Sequence, residues 1–241
     1  MRAILAIPDV HVPFHDRKAW ALMLRVVKAT QPDHVVIMGD FMDCYSVSSF
    51  PRDPSRVSHL KAEFDMANRE LDKLTELVDG RVTFLEGNHE RRIARYVEQK
   101  ASELHGLVDL WDGIFVADRG WRWVPYREHV IMGKLAFAHD IGHAGKGAVQ
   151  QSLDAMGHNL VIGHTHRAGI CYGGTVKGEH RVAMSCGWLG DVTKVDYMHR
   201  AKTRDWQHGF GWVRQADNGD SWLTFVPIIQ GKCSLEGTTF K

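Results

Sequence analysis

No stretch of the 241 residues approaches the run of about 18 apolar side chains that a membrane-crossing helix needs. Cysteine is scarce. The four residues at positions 44, 171, 186 and 233 form no C-x-x-C pair, which argues against a disulfide framework or a cysteine-type zinc site and fits thiols kept reduced in a cytoplasm. An excess of one charge is also missing. Thirty basic against 29 acidic residues leave a net charge of +1, so global charge does not hold this chain to nucleic acid; a local basic patch stays open. The opening MRAILAIPDV has an apolar run cut short by Pro8 and Asp9, too brief for a secretory leader, and it reads as a strand. Repeats, low-complexity tracts and composition breaks are absent, so one domain over 1–241 is expected. In contrast, the 15 histidines and 8 tryptophans are many, and histidine is both the commonest metal ligand and the usual acid–base group near neutral pH.

Hydrophobic patterning alternates strand and helix. Arg2 to Ile7 reads as a strand, and Asp16 caps a helix carrying Trp20, Leu22, Leu24, Val26 and Val27 that ends near Gln31-Pro32. His34 to Met38 is a buried strand, 43–60 a loop, 61–79 a helix stopped by Gly80, Arg81 to Leu85 a third strand, and about 91–104 a helix. Trp121 to Val124, Val130 to Met132 and Leu135 to Ala138 read as short antiparallel strands. A helix over 146–156, a strand Leu160 to Ile162 and alternating segments at 180–186, 209–215 and 221–229 follow. Such alternation predicts parallel strands covered by helices, with ligands at the C-terminal strand edge.

At that edge the polar clusters gather: Asp9 with His11, Gly39-Asp40, Gly87-Asn88-His89-Glu90, His139-Asp140, and Gly163-His164-Thr165-His166. If these segments are extended, residues two apart share a face, so Asp9 with His11 and His164 with His166 each point at one place. Mixed imidazole and carboxylate donors suit Mn²⁺, Fe or Zn²⁺ better than Mg²⁺ alone.

The series D-x-H, G-D, G-N-H-E, H-D, G-H-T-H, in this order over residues 9–166, resembles the calcineurin-like metallophosphoesterase superfamily. Five separated motifs agree, where any one alone is weak. The resemblance implies a four-layer α/β/β/α fold with two mixed sheets and a centre of two divalent ions, manganese foremost, with iron, zinc or nickel as alternatives. It implies that Asp9, His11 and His166 hold one ion, that Asn88, His139 and His164 hold the other, and that Asp40 bridges them. It further implies that an acidified water attacks phosphorus while His89 protonates the leaving oxygen.

Around that centre the sequence offers substrate-binding candidates. Arg91 and Arg92 open the helix after G-N-H-E, although a solvated helix face is the default reading. His143 lies four residues after His139 and could approach the substrate, although a structural role is the default reading. Asp43 sits where protein phosphatases read G-D-x-x-D-R-G, but Cys44-Tyr45 replaces Arg-Gly, which weakens a protein-phosphatase reading. Two stretches interleave charge with rings: Arg119 to Arg127, and Lys194 to Trp212 with Tyr197 and Arg200. Rings stack on bases while cations hold phosphates; packing of Trp121 and Trp123 on one strand face is the plain alternative. Residues 188–210 are expected beside the centre as a substrate-shaping insertion. His15, His34, His59, His105, His129 and His158 lack motifs and read as surface or capping residues.

Three functions follow. The favoured one is a phosphodiesterase acting on DNA, RNA or a nucleotide, similar to small phage and bacterial phosphoesterases and distantly to SbcD-type nucleases. The second is a phosphomonoesterase on a small molecule or phosphoprotein. The third is a non-catalytic binding scaffold, which expects broken ligand motifs. The plentiful tryptophans leave a homodimer open, and no membrane partner is expected.

Overall fold

The computed structural model describes residues 1–56, 59–195 and 203–241. Asp16 starts the first helix, α1 (Arg17–Thr30), by accepting from the backbone N–H groups of Lys18 and Ala19, and Gln31 ends it in a left-handed conformation. Losing such a cap costs about 1 kcal/mol. The apolar stripe Ala19, Trp20, Leu22, Met23, Val26 and Val27 is buried. It packs with Ala67, Leu71 and Leu74 of α2 (Leu60–Thr75) against one face of a sheet.

That sheet contains β1 (Arg2–Ile7), β2 (His34–Ile37), β3 (Val82–Leu85), β4 (Arg122–Val124), β10 (Gly209–Gln215) and β11 (Ser221–Pro227), in the order β11-β10-β1-β2-β3-β4. β1 to β4 are parallel, β10 pairs antiparallel with β1, and β11 pairs antiparallel with β10. The second sheet, ordered β5-β6-β7-β9-β8, contains β5 (His129–Met132), β6 (Leu135–Ala138), β7 (Asn159–Ile162), β8 (Ala168–Gly174) and β9 (His180–Cys186). Here β6, β7 and β9 are parallel, with antiparallel β5 and β8 at the edges.

Strand alternation builds three apolar layers. On β1, Ala3, Leu5 and Ile7 face the helices. Ile4 and Ala6 face the second sheet, where they meet Phe137, Val161, Met184 and Cys186. Ala136, Ala138, Leu160 and Ile162 on the far face pack on Leu153 from α5 (Ala148–Met156). Two mixed sheets between helices are the four-layer α/β/β/α architecture. Each fully buried Leu or Ile in these layers contributes about 1.5–3 kcal/mol.

Several local readings change. Trp121 to Val124 does not open an antiparallel group. β4 returns parallel to β3 because α3 (Arg91–Lys100) and α4 (Leu110–Gly113) carry the chain back across the sheet in a crossover. α2 ends at Thr75 rather than 79, and the helix expected over 91–104 breaks at Ala101 before a short 3₁₀ turn. β8 and the hairpin β12 (Cys233–Leu235) with β13 (Thr238–Phe240) lacked a signal. Trp121 is buried, with Arg119 over its ring, and Trp123 stacks on Phe84 at 5.2 Å. The first basic-aromatic stretch therefore packs the fold. His15 is buried, not superficial, and burial lowers its pKa to about 4. No helix among the described residues is long and apolar enough to cross a membrane.

Candidate metal centre

The clusters after β1, β2, β3, β6 and β7 meet at one end of the paired sheets. They do so through bent backbone, not extended segments. Asp9, His11, Asp40, His164 and His166 all have positive φ, between 35° and 63°. Non-glycine residues adopt this region at a cost, and such strain gathers at functional sites. The side chains of Asp9 and His11 converge because the chain curls there; the strand alternation expected from the sequence stops at Ile7.

The glycines of the motifs make room. A Cβ on Gly87 would lie 2.2 Å from Asp40 Oδ1, and one on Gly163 would lie 2.8 Å from Asp9 Oδ2. Glu90 then ties two loops together. Its buried carboxylate accepts from the backbone N–H groups of Asp40, Met42 and Gly87 at 2.8–2.9 Å.

Two overlapping donor groups built on Asp40 result, beside a third of His11, Asp43 and His89. Asp9, His11, Asp40 and His166 offer ligand atoms within 4.8 Å of one another, and so do Asp40, His139 and His164. In the first group, Nε2 of His11 and Nε2 of His166 are 3.0 Å apart, and Asp9 Oδ1 is 3.4 Å from His166 Nε2. In the second, His139 Nε2 lies 3.4 Å from Asp40 Oδ2 and 3.0 Å from Asn88 Oδ1. The opposite ring nitrogens are anchored: Nδ1 of His139 at the Met38 carbonyl, 2.8 Å away, and Nδ1 of His11 at Asp43 Oδ2, 3.2 Å away. Fixing one ring nitrogen aims the other, as metal sites require.

This donor set fits cations. Two imidazole Nε2 atoms and two carboxylates converge, and they can all act as acceptors only toward a positive ion. Nδ1 of His166 is buried without a hydrogen-bond partner, so this ring is held by its contacts with Trp188 and Trp206 instead. Electrostatics agrees. Burial raises the Asp9 carboxyl to about 6, although His139 opposes this. Burial lowers His139 while Asp40 and its neighbours outweigh it, pushing the imidazole up to about 10. Burial takes His166 down to about 3. Asp40 is held well below the carboxylate range by His139 and His89 against its own burial.

His89 lies in the same wall. Its Nδ1 is 3.1 Å from the Asp43 carbonyl, and its Nε2 is 3.9 Å from Asp40 Oδ2. Arg92 reaches back one helical turn. Its Nη1 donates to the Asp43 carbonyl at 2.8 Å, and its Nη2 is 3.0 Å from His89 Nε2. Arg92 therefore faces the centre, against the solvated default. Arg91 does not, because the next residue on a helix projects about 100° away. It pairs with Glu98 at 2.7 Å and lines a different cavity. His143 is half-buried, and its neighbours Ala144 and Gly145 line the central cavity in its stead. Tyr197 and Arg200 lie outside the described residues.

Sequence reasoning underrated Asp43, passed over a role for Glu90 and Trp188, and placed Trp206 only within a basic-aromatic stretch. Asp43 orients both His11 and His89, and its place three residues after Asp40 was the available signal. Trp188 stacks on His166 at 5.0 Å, and Trp206 meets the same ring edge-on at 4.3 Å. The described ends of 188–210 thus adjoin the cluster. A cavity of about 540 Å³ opens over Asp40, Asn88, His89, His164 and His166, walled by Tyr45, Phe50, Pro51, Arg92, Arg167 and Trp206.

Comparison with known proteins bears on this arrangement. The family model described as calcineurin-like phosphoesterase matches residues 2–168. The Gene 54 protein of Mycobacterium phage D29 is 31% identical over 252 residues, covering 98% of this chain and 97% of its own. The Gene 54 protein of Mycobacterium phage L5 is 30% identical over 256 residues, covering 100% and 99%. Among solved structures, Vacuolar Protein Sorting 29 from Cryptosporidium parvum superposes with a TM-score of 0.51 at 14% identity, covering 99% of this chain and 97% of that one. At that identity the likeness speaks for the fold alone.

Proposed function

The chain belongs to the calcineurin-like phosphoesterase family, and from that premise we propose that it hydrolyses phosphate esters, favouring phosphodiesters of nucleic acid or nucleotides. One observation carries this reading: Asp40, Asn88, His164 and His166 of the donor groups line a single cavity of about 540 Å³ together with His89. That volume suits a ligand well beyond a lone phosphoryl group. Its aromatic walls, Tyr45, Phe50 and Trp206, suit a base or sugar-linked ring.

In this proposal Asp9, His11 and His166 hold one ion, Asn88, His139 and His164 hold the other, and Asp40 serves both. When bound, two divalent ions, manganese foremost, supply neutralisation of the phosphate charge and acidification of a water. The protein does the rest. Arg92, braced by Asp43, donates to a non-bridging phosphoryl oxygen; an arginine fork is well shaped for that task. His89 keeps Nδ1–H on the Asp43 carbonyl. Burial lowers this imidazole, and so does Arg92, but Asp40 and Asp43 outweigh both and raise it. The ring therefore holds a second proton, and Nε2 passes that proton to the leaving oxygen once Arg92 turns to the phosphate. Trp188 and Trp206 limit water around His166.

The test is a panel with added Mn²⁺: bis(p-nitrophenyl) phosphate against p-nitrophenyl phosphate, with single-stranded DNA and 2′,3′- and 3′,5′-cyclic nucleotides. Faster turnover of the diester is expected. Preference for p-nitrophenyl phosphate would move the assignment to a phosphomonoesterase. Metal retention without turnover of any ester would leave a binding scaffold.

A further inference from the structure

The cavity contains a second guanidinium that the mechanism above does not use. Arg167 directly follows His166 and lines the same cavity as Arg92. The two arginines are held in opposite ways. Arg92 is compensated by the Asp43 carboxylate at 3.2 Å. Arg167 gives one hydrogen bond, from Nη1 to the Thr165 carbonyl at 3.3 Å, and its Nε is buried with no acceptor. A buried donor of a charged group without a partner is costly, and each such case asks for an explanation.

Among the described residues no carboxylate forms an ion pair with this guanidinium. Asp205 is an acid within electrostatic reach of Arg167. It already faces Lys146 at 3.0 Å and Arg204 at 3.8 Å. Lys146 and Arg204 thus already share that carboxylate, whose chain neighbour Trp206 lies in the cavity wall. A site with surplus positive charge and an unanswered N–H attracts an oxyanion.

We infer that Arg167 forms a second anion subsite, which takes a phosphate neighbouring the cleaved one in the same substrate. The substrate class is then a phosphate ester that carries at least two phosphates. This rests on the phosphate-ester reading given above. Arg92 meets the reacting group beside His89; Arg167, next to His166, meets the neighbour. Both a nucleic-acid strand and a nucleoside polyphosphate present that chemistry.

The experiment uses matched pairs with Mn²⁺. The dinucleotide pTpT against TpT adds a neighbouring phosphate on a strand; adenosine 3′,5′-bisphosphate against 3′-AMP adds one on a single nucleotide, with the same kind of ester bond broken in both. In at least one pair the doubly phosphorylated member is expected to have a kcat/KM about tenfold or more higher. Arg167→Gln should bring that ratio close to one, and Arg167→Lys should restore part of it. The pair that responds identifies the source of the second phosphate. Equal Mn²⁺ content in parent and variant shows that the loop carrying His164 and His166 is intact. A ratio near one in both pairs for the parent, or a ratio that Arg167→Gln leaves in place, overturns the subsite. If no ester is turned over, binding of pTpT and TpT followed by Trp206 fluorescence decides independently. A preference for pTpT that vanishes in Arg167→Gln keeps the subsite although hydrolysis fails, and equal binding ends it.

Discussion

The two halves of the centre are built differently. Asp9, His11 and His166 are all buried, and Trp188 closes over two of those rings. His164 and Asn88, on the other side of Asp40, are only half-buried and form part of the open cavity wall, which His166 also reaches, while His139 is buried behind them. Their protons differ too. Burial keeps His11 and His166 below the ordinary imidazole range, whereas His139 is carried up to about 10 once Asp40 and its neighbours outweigh burial. The enclosed half waits with neutral rings, and the open half waits with a proton on His139. On the proposed assignment a cation would enter the first half with little exchange, and the second only by displacing that proton, from the side on which the cavity opens.

Asp40→Asn should break the comparison altogether, because both halves draw on that carboxylate. Activity is expected to fall at least about a hundredfold, more than for any single histidine, since even residues outside the ligand shell cost ten- to a hundredfold. Metal content and turnover measured together check this, and a near-normal enzyme refutes it.

Acidity sharpens the comparison. The His139 proton must leave before Nε2 can coordinate, so affinity of the open half should rise about tenfold per pH unit between 7 and 10. The enclosed half should stay nearly flat above about 6, where Asp9 is already ionised, and weaken below it. Calorimetric titration with Mn²⁺ in two buffers of different ionisation enthalpy counts the protons released. Equal release from both halves would contradict the assignment.

Glycine substitutions separate shared from private space. Gly87→Ala drives a methyl into Asp40 and Glu90, whereas Gly163→Ala meets Asp9. Overpacking of this kind costs about 1–3 kcal/mol. The first should loosen both metal equivalents and the second only the enclosed one, as read by thermal unfolding and metal analysis. Trp188→Ala should have the smallest effect, a rise of about threefold to tenfold in the rate at which a chelator strips the enclosed ion. An unchanged rate would mean that the indole is packing alone.

Much of this was legible because the chemistry sits where strands end, and strand ends are visible as apolar runs stopping at polar residues. Asp9, Asp40, His89, His139 and His164 each follow such a run. What escaped depends on contacts remote in sequence. Arg92 reads as a solvated helix residue until Asp43, 49 positions away, is seen to brace it. His15 carries no motif, and only its bridge to Gly190 reveals its burial. β8 went unread because its glycines interrupt alternation; Gly173 is small where Leu153 of α5 packs close to the strand.

Glu90 gives this centre a property that its ligands alone would not provide. By clasping three amide hydrogens from the ends of β2 and β3, it sets the gap between neighbouring loops using nothing but peptide groups. The socket is therefore cast by the chain itself, and stripping the ions should leave a mould ready to be refilled, with no refolding in between.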